Sequence, residues 1–330
     1  MKQHKKVSYA KYGYFFCIPF TLAFLIFTLY PILYTIIIGF TDLKGVNTRD
    51  FHFLTDDLFK NFKTVLSNNS FQTAFKNTWR MWIMNFIPQI VLALILTAWF
   101  TDTRTKIKGQ GFFKVIFYMP NIITAATVAI LFAQFFGYPM GPMNDIFSVL
   151  GISDKPIYFL RSKSTARGVV EFIQFWMWYG YTMIVLTSGV LGISPDIFEA
   201  AEVDGANRVQ TFFRITLPNI KTILLFTLVT SLIGGLQMFD IPQLFIPKSG
   251  PDNATLTTSV FVYNQAFSGS YLYNRAAAAS MIMFVIICIC SAVMFFMLRD
   301  PDEAKLNKII RQQEKEYRKK IKAQKKGGKA

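Results

Sequence analysis

Six apolar stretches, residues 14–38, 81–100, 112–136, 172–192, 219–246 and 276–298, constrain this chain more than any other feature. A hydrocarbon core of about 30 Å is crossed by roughly 20 helical residues, and each stretch reaches that length. Lipid offers no water to the backbone, so such a stretch must satisfy its N–H and C=O groups within itself and become a helix. The expected fold class is therefore all-α, a polytopic membrane protein with six transmembrane helices. A hydrophobic share of 52%, with 35 Phe in 330 residues and only 16% charged residues, exceeds what a soluble core needs. Charges are nearly absent inside the stretches: Lys114 and Lys221 sit at segment ends, from which they snorkel to the interface, and Asp240 lies near the far end of the fifth. The first stretch is too long for a signal peptide and runs through Tyr30-Pro31 without a small-residue cleavage site, so it reads as a span.

Orientation follows from the basic residues in the connections, which are retained on the cytoplasmic side. With the N-terminus inside, inner segments hold 21 Lys and Arg over 82 residues and outer segments 12 over 106; without the C-terminal tail the inner count is still 9 over 50. The reading is a cell-membrane protein of bacterial type with both termini cytoplasmic: an N-terminal segment 1–13, a membrane domain 14–298 and a basic tail 299–330. That tail carries 12 of the 35 basic residues behind the net charge of +16. No nucleic-acid fold accompanies it, so no nucleic-acid partner is expected. A basic segment beside a final span is drawn instead to anionic lipid headgroups, by about 1 kcal/mol per residue near the surface. Lys305 to Lys322 also suits a helix that meets a cytoplasmic partner.

The polar connection between spans four and five, 194–218, has its own order. Ser194 is placed to cap a helix that begins at Pro195 and carries Asp196 in its first turn. Gly205 permits a sharp left-handed turn. A second short helix from Asn207 is expected to end before Pro218, which has no N–H to give. Within this segment stands Glu199-Ala200-Ala201-Glu202-Val203-Asp204-Gly205, followed after nine residues by Ile215-Thr216-Leu217-Pro218. Ala200 and Ala201 allow close approach of a partner, and Glu199 offers it a fixed charge.

This spacing resembles the EAA loop of the membrane subunits of ABC-type importers, with every named position filled. The resemblance implies the ABC importer permease fold and a cytoplasmic loop that docks in a groove of an ATPase, with Glu199, Ala200, Ala201, Asp204, Gly205 and Arg208 as the coupling residues. Two further runs resemble sugar-importer permeases. One is Phe59-Lys60-Asn61-Phe62 with Ala74-Phe75-Lys76-Asn77-Thr78. The other is Gly250-Pro251, Thr255, Thr257, Thr258, Tyr263, Ala266-Phe267 and Ala276–Ser280. In Tyr271–Arg275 the chain departs from the Tyr-Gly pair usual there. Together these imply a carbohydrate-uptake permease of the maltose and multiple-sugar type, working with a second homologous permease, two ATPase subunits and an extracellular sugar-binding protein. The chain itself has no G-x-x-x-x-G-K-[ST] phosphate loop. It is thus read as a transport subunit without catalytic residues or a cofactor, ATP and Mg being held by partner subunits. Cys17, Cys288 and Cys290 fall inside apolar spans as small hydrophobes, and His4 and His52 lie on opposite sides of the membrane, so no metal site is expected.

Helical spacing points to a substrate site. In span four Gln174, Met177, Trp178 and Tyr181 recur at i, i+3, i+4 and i+7, and in span five Ser231, Gly234, Gly235 and Met238 do the same. At about 1.5 Å per residue both faces fall between the membrane middle and its outer half, where they are placed to face one another. Gln237 and Asp240 are further candidates. Aromatic rings pack on the C–H faces of a pyranose while amides and hydroxyls satisfy its hydroxyls, and the resemblance implies a sugar on these same two helices. Trp176 and Trp178 also suit interface anchoring, and Gly234 and Gly235 close helix packing. A polyol or glycerol-phosphate importer is the alternative, although a phosphorylated substrate would call for Arg or Lys on these faces, which have none. An ion-coupled secondary transporter would need ionisable residues at the midplane.

Overall fold

The computed structural model describes residues 10–45, 50–102, 104, 105, 107–269, 271–298 and 309–317. These are helical nearly throughout, and a bridge between Thr41 and Phe53 is the one β pairing among them. Of the two flanking segments, 1–13 is reached only at 10–13 and 299–330 only at 309–317, which is helical and exposed; the rest of both lies outside the described residues. Internal contacts divide the chain into two compact units, Met1–Lys76 with Leu256–Val285, and Asn77–Thr255 with Ile286–Ala330.

In the first unit, helix α1 (Tyr12–Gly39) is long enough to span a membrane. It widens into a π turn at Leu25–Leu29, directly before Pro31, so the proline enters near the start of the next helical piece, where its missing N–H is tolerated. A short helix α2 (Lys60–Leu66) follows. Asn61, from the Phe59–Phe62 run, is buried and ties the end of α1 in place, its Nδ2 donating to Gly39 O at 2.9 Å and Thr41 O at 2.8 Å. Exposed Asp57 accepts from Lys63 Nζ at 2.9 Å, which holds its carboxyl below the usual value.

Helix α3 (Asn69–Thr101) begins well before the expected 81, because its first turns are amphipathic, burying Phe71, Ala74 and Thr78 while Gln72 and Lys76 stay accessible. The third expected span is not one rod. It is a pair of helices, α4 (Gln110–Ile122) and α5 (Ala125–Phe135), bent by 92°. Ile123 is extended and Thr124 caps α5, its hydroxyl accepting from the Thr127 N–H at 3.3 Å. The described residues therefore hold five single helices able to span, or six spans when this pair counts as one. After α6 (Pro142–Val149) comes α7 (Lys163–Leu191), which like α3 extends beyond its apolar middle.

The helices of the connection after α7 are α8 (Pro195–Val203) and α9 (Arg208–Thr211). Helix α10 (Lys221–Leu236) ends at Gln237, and a short α11 (Asp240–Leu244) resumes after a break, so the fifth expected span is interrupted. In the first unit α12 (Thr258–Phe267) precedes α13 (Tyr273–Leu298), whose residues belong to both units. Tyr271, in the stretch that departs from the Tyr-Gly pair, has φ +45°, a conformation that costs a non-glycine residue energy. Asn274 Nδ2 donates to Asn61 Oδ1 at 3.1 Å, joining α13 to α2.

The described residues of the second unit include a buried apolar cluster around Met81, Phe132, Val170, Ile173 and Ile241 and another around Ala93, Leu96, Met183, Leu186 and Ile220. Between them α4 and α7 touch backbone to backbone at Gly180, where a Cβ would lie 2.6 Å from Phe117 C and 2.9 Å from Tyr118 Cα. Arg167 is buried and anchors the turn after α11, with Nε on Ala254 O at 3.0 Å and Nη2 on Asn77 Oδ1 at 2.8 Å. Trp176 packs edge-on against Phe132, with ring centroids 5.3 Å apart, and lies half-buried against the first cluster. The cysteines are not core hydrophobes: Cys17 and Cys288 are exposed and Cys290 half-buried, because α1 and α13 turn most of their surface away from their own chain.

Candidate functional site

A cavity of about 410 Å³ opens within the second unit, a size typical of small-molecule sites. Helix α7 lines it with Gln174, Met177, Trp178 and Tyr181, one per turn or successive turn of a single face. Helix α10 brings Ser231 and Gly235 with Gly234, the break after it brings Gln237 and Met238, and α11 opens on Asp240. The structure thus gathers all nine sequence-named substrate candidates around one space. It adds a third wall, Trp82, Asn85 and Gln89 of α3, along with Thr182, Thr227 and Thr230. Trp82, Asn85 and Gln89 stand at i, i+3 and i+7, so the test that selected α7 and α10 finds them too when applied to the second span.

The two glycines differ. A Cβ on Gly235 would lie 2.7 Å from Trp82 Cγ and 2.9 Å from its Nε1, so only hydrogen leaves room for the indole. Trp82 Nε1 then donates to Ser231 Oγ at 3.2 Å, which fixes that hydroxyl as acceptor. Gly234 has nothing within 4 Å of its Cβ position and gives space to the cavity instead of packing a helix. Deeper, Gln89 Nε2 donates to Thr182 Oγ1 at 2.7 Å, a buried pair that closes α3 against α7. Trp178 stays 44% exposed and meets Tyr181 edge-on at 5.8 Å between centroids.

Gln174 is the informative side chain. It is only 8% exposed, it lines the cavity, and its amide has no hydrogen-bond partner among the described residues. The amide atoms themselves stay open to the cavity, so water satisfies them there and an occupant that brings hydroxyls can take that water's place.

The 194–218 connection is built as a clamp. Ser194 stands at the N-cap of α8, but its hydroxyl donates to Asp196 Oδ2 at 3.3 Å and caps no N–H, since the carboxylate two residues on is the stronger acceptor. Gly205 turns with φ +76°. Asn207 opens α9 with a reciprocal capping box to Gln210, at 2.8 and 2.9 Å. The helix does not end before Pro218. A π turn at Phe212–Thr216 leads into Leu217–Asn219, and with Leu217 N–H bonded to Phe212 O, Pro218 enters at a new helix start, where no N–H is required.

The loop between α3 and α4 holds the connection. Arg104 reaches Glu202 at 3.4 Å and Ala206 O at 2.8 Å, and Arg208 reaches Asp102 at 3.2 Å and Thr105 Oγ1 at 2.7 Å. Of the six residues named for coupling, Glu199, Ala200, Asp204, Gly205 and Arg208 are exposed, while Ala201 faces into its own chain. Apolar side chains of the connection are exposed as well, Val203 at 87%, Val209 at 65% and Phe213 at 61%, the last two lining a groove shared with α3.

The family described as "Binding-protein-dependent transport system inner membrane component" matches residues 76–300, which include both the cavity and the clamped connection. The chain belongs to this family. The permease is 30% identical over 295 residues to the multiple sugar-binding transport system permease protein MsmF of Streptococcus mutans, covering 88% of this chain and 96% of MsmF. It is 29% identical over 289 residues to the lactose transport system permease protein LacF of Rhizobium radiobacter, covering 87% and 94%. A crystal structure of a bacterial ABC transporter involved in the import of the acidic polysaccharide alginate matches with a TM-score of 0.74 and 25% identity, over 87% of this permease and 94% of that chain. A second structure of the alginate transporter, in complex with an alginate pentasaccharide-bound periplasmic protein, matches with a TM-score of 0.72 and 26% identity. The permease therefore has the ABC importer permease fold, and it is the membrane-spanning part of a transport system that depends on a binding protein.

Proposed function

We propose that this permease carries an oligosaccharide or related sugar into the cell through the cavity between α3, α7 and α10. The observation that carries the reading is Gln174, whose amide makes no bond to the described residues and opens onto the cavity, one turn from the exposed ring of Trp178. An amide that seeks hydroxyls beside an aromatic face is what a pyranose requires. The sugar-transport names of the relatives support the same substrate class. A single connection with the EAA spacing serves one ATPase. The working importer is accordingly a pair of homologous permeases, two cytoplasmic ATPase subunits that hold ATP and Mg, and an extracellular sugar-binding protein. The ATPase meets Glu199, Ala200, Asp204 and Gly205, with Val203 as the apolar part of the contact. Arg208, through Asp102 and Thr105, and the inward-facing Ala201 hold the connection's shape. Both termini and the basic tail face the cytoplasm. The test is purification of the tagged permease from its native membrane, reconstitution into vesicles, and measurement of oligosaccharide entry with and without ATP. ATP-dependent entry that also requires the co-purified binding protein supports the reading, and entry driven by an ion gradient without ATP refutes it.

A further inference from the structure

None of the 19 described residues that line the cavity is Lys, Arg or His, and one of them, Asp240, is acidic. Asp240 stands at the first position of α11 and is exposed to the cavity, with no ion pair or hydrogen bond from its carboxylate among the described residues. An ionised carboxylate is acceptor-only, with sites for several donors. When an occupant displaces water from the cavity, that carboxylate loses its hydration and must find donors or pay for their absence. Sugar hydroxyls supply them as charge-assisted hydrogen bonds. A uronate or sugar phosphate brings a like charge instead, and no lining cation offsets it.

We propose that Asp240 is a charge filter: the cavity accepts uncharged glycans and rejects glycans bearing carboxylate or phosphate groups. The inference rests on the reading of the cavity as the sugar path, and it adds the class of sugar that passes. Its size follows from Coulomb's law. Two carboxylates about 6–10 Å apart in a partly hydrated cavity repel enough to weaken binding by about tenfold or more. Because a partly open cavity admits ions, that factor falls as salt rises.

The test uses the full-length permease in detergent and follows quenching of its tryptophans, of which Trp82 and Trp178 line the cavity. The probes are the neutral trisaccharides maltotriose, raffinose and triacetylchitotriose against trigalacturonate, for wild type and the near-isosteric Asp240→Asn. The filter predicts that at least one neutral probe binds the wild type about tenfold or more tightly than trigalacturonate, and that Asp240→Asn narrows the gap to about threefold or less. Raising KCl on the wild type must narrow the same gap while leaving neutral binding unchanged, which decides the matter even if the variant folds poorly. Equal binding of neutral and acidic probes to the wild type, or a gap indifferent to both salt and Asp240→Asn, overturns the filter and leaves the sugar path standing. Failure of every trisaccharide to bind removes the sugar reading itself, and the filter with it.

Discussion

Gly180→Ala places one methyl group where α4 and α7 already touch. Its Cβ would lie 2.6 Å from Phe117 C and 2.9 Å from Tyr118 Cα, and closer still to Phe117 O. Ordinary contacts of this kind begin near 3.4 Å, so α4 must retreat by about 1.5 Å to clear Phe117 O, and no rotamer change helps because the three nearest atoms are backbone. The retreat strains the adjacent bond from Asn121 Nδ2 to Met177 O, now 3.2 Å, and opens the packing of Phe117 on Tyr179. Overpacking of this kind costs about 1–3 kcal/mol. At roughly 2–4 °C per kcal/mol for a chain of this size, the apparent melting temperature in detergent should fall by about 5 °C. Gly168→Ala, in the same helix with nothing within 4 Å of its Cβ position, is the control and should hold or raise stability, since alanine favours a helix by up to about 1 kcal/mol over glycine. Fluorescence-detected melting of the two variants side by side decides the point. If they melt together, α4 and α7 are not in backbone contact at Gly180 and the cavity wall is placed wrongly.

Three further outcomes are expected. Arg167→Ala leaves Ala254 O and Asn77 Oδ1 without their donor, so it should cost about 1–3 kcal/mol in thermal stability, and Arg167→Lys, a single point charge, should recover only part of it. Gly205→Val, at φ +76°, should loosen the connection by about 1–2 kcal/mol and reduce co-purification of the ATPase while the permease still reaches the membrane; unchanged ATPase recovery would count against the docking role. A cysteine at Asn68 should react with an impermeant reagent added outside intact cells and one at Gln210 should be protected, and the reverse pattern would overturn the cytoplasmic placement of the connection.

The spans were legible because long apolar runs in lipid have only the helix open to them. Their ends were not, since the first turns of α3 alternate Phe71, Ala74 and Phe75 with Gln72 and Lys76, an amphipathic pattern that falls short of a continuous apolar run. The 92° bend was hidden for a different reason: the run 112–136 stays apolar enough on average to read as one span, although Pro120, Asn121 and the capping hydroxyl of Thr124 mark the break within it. Two walls of the cavity were visible as helical spacing on α7 and α10. The α3 wall follows the same spacing, but its meeting with the others depends on Trp82 fitting over Gly235, a contact between residues far apart in sequence. The clamp formed by Arg104 with Glu202 and Arg208 with Asp102 was illegible on the same ground, because each pair joins distant segments.

The central claim, that sugar passes along α7, is tested most directly by uptake through Trp178→Ala at limiting sugar concentration, with expression and assembly held equal to wild type. Removing an aromatic contact of this kind costs on the order of 1 kcal/mol or more, so uptake should fall about fivefold or further while the complex still assembles. Ile184→Val, half-buried on the same helix and outside the cavity, removes one methylene and should leave uptake within about twofold of wild type. Uptake through Trp178→Ala equal to that of Ile184→Val would contradict the account.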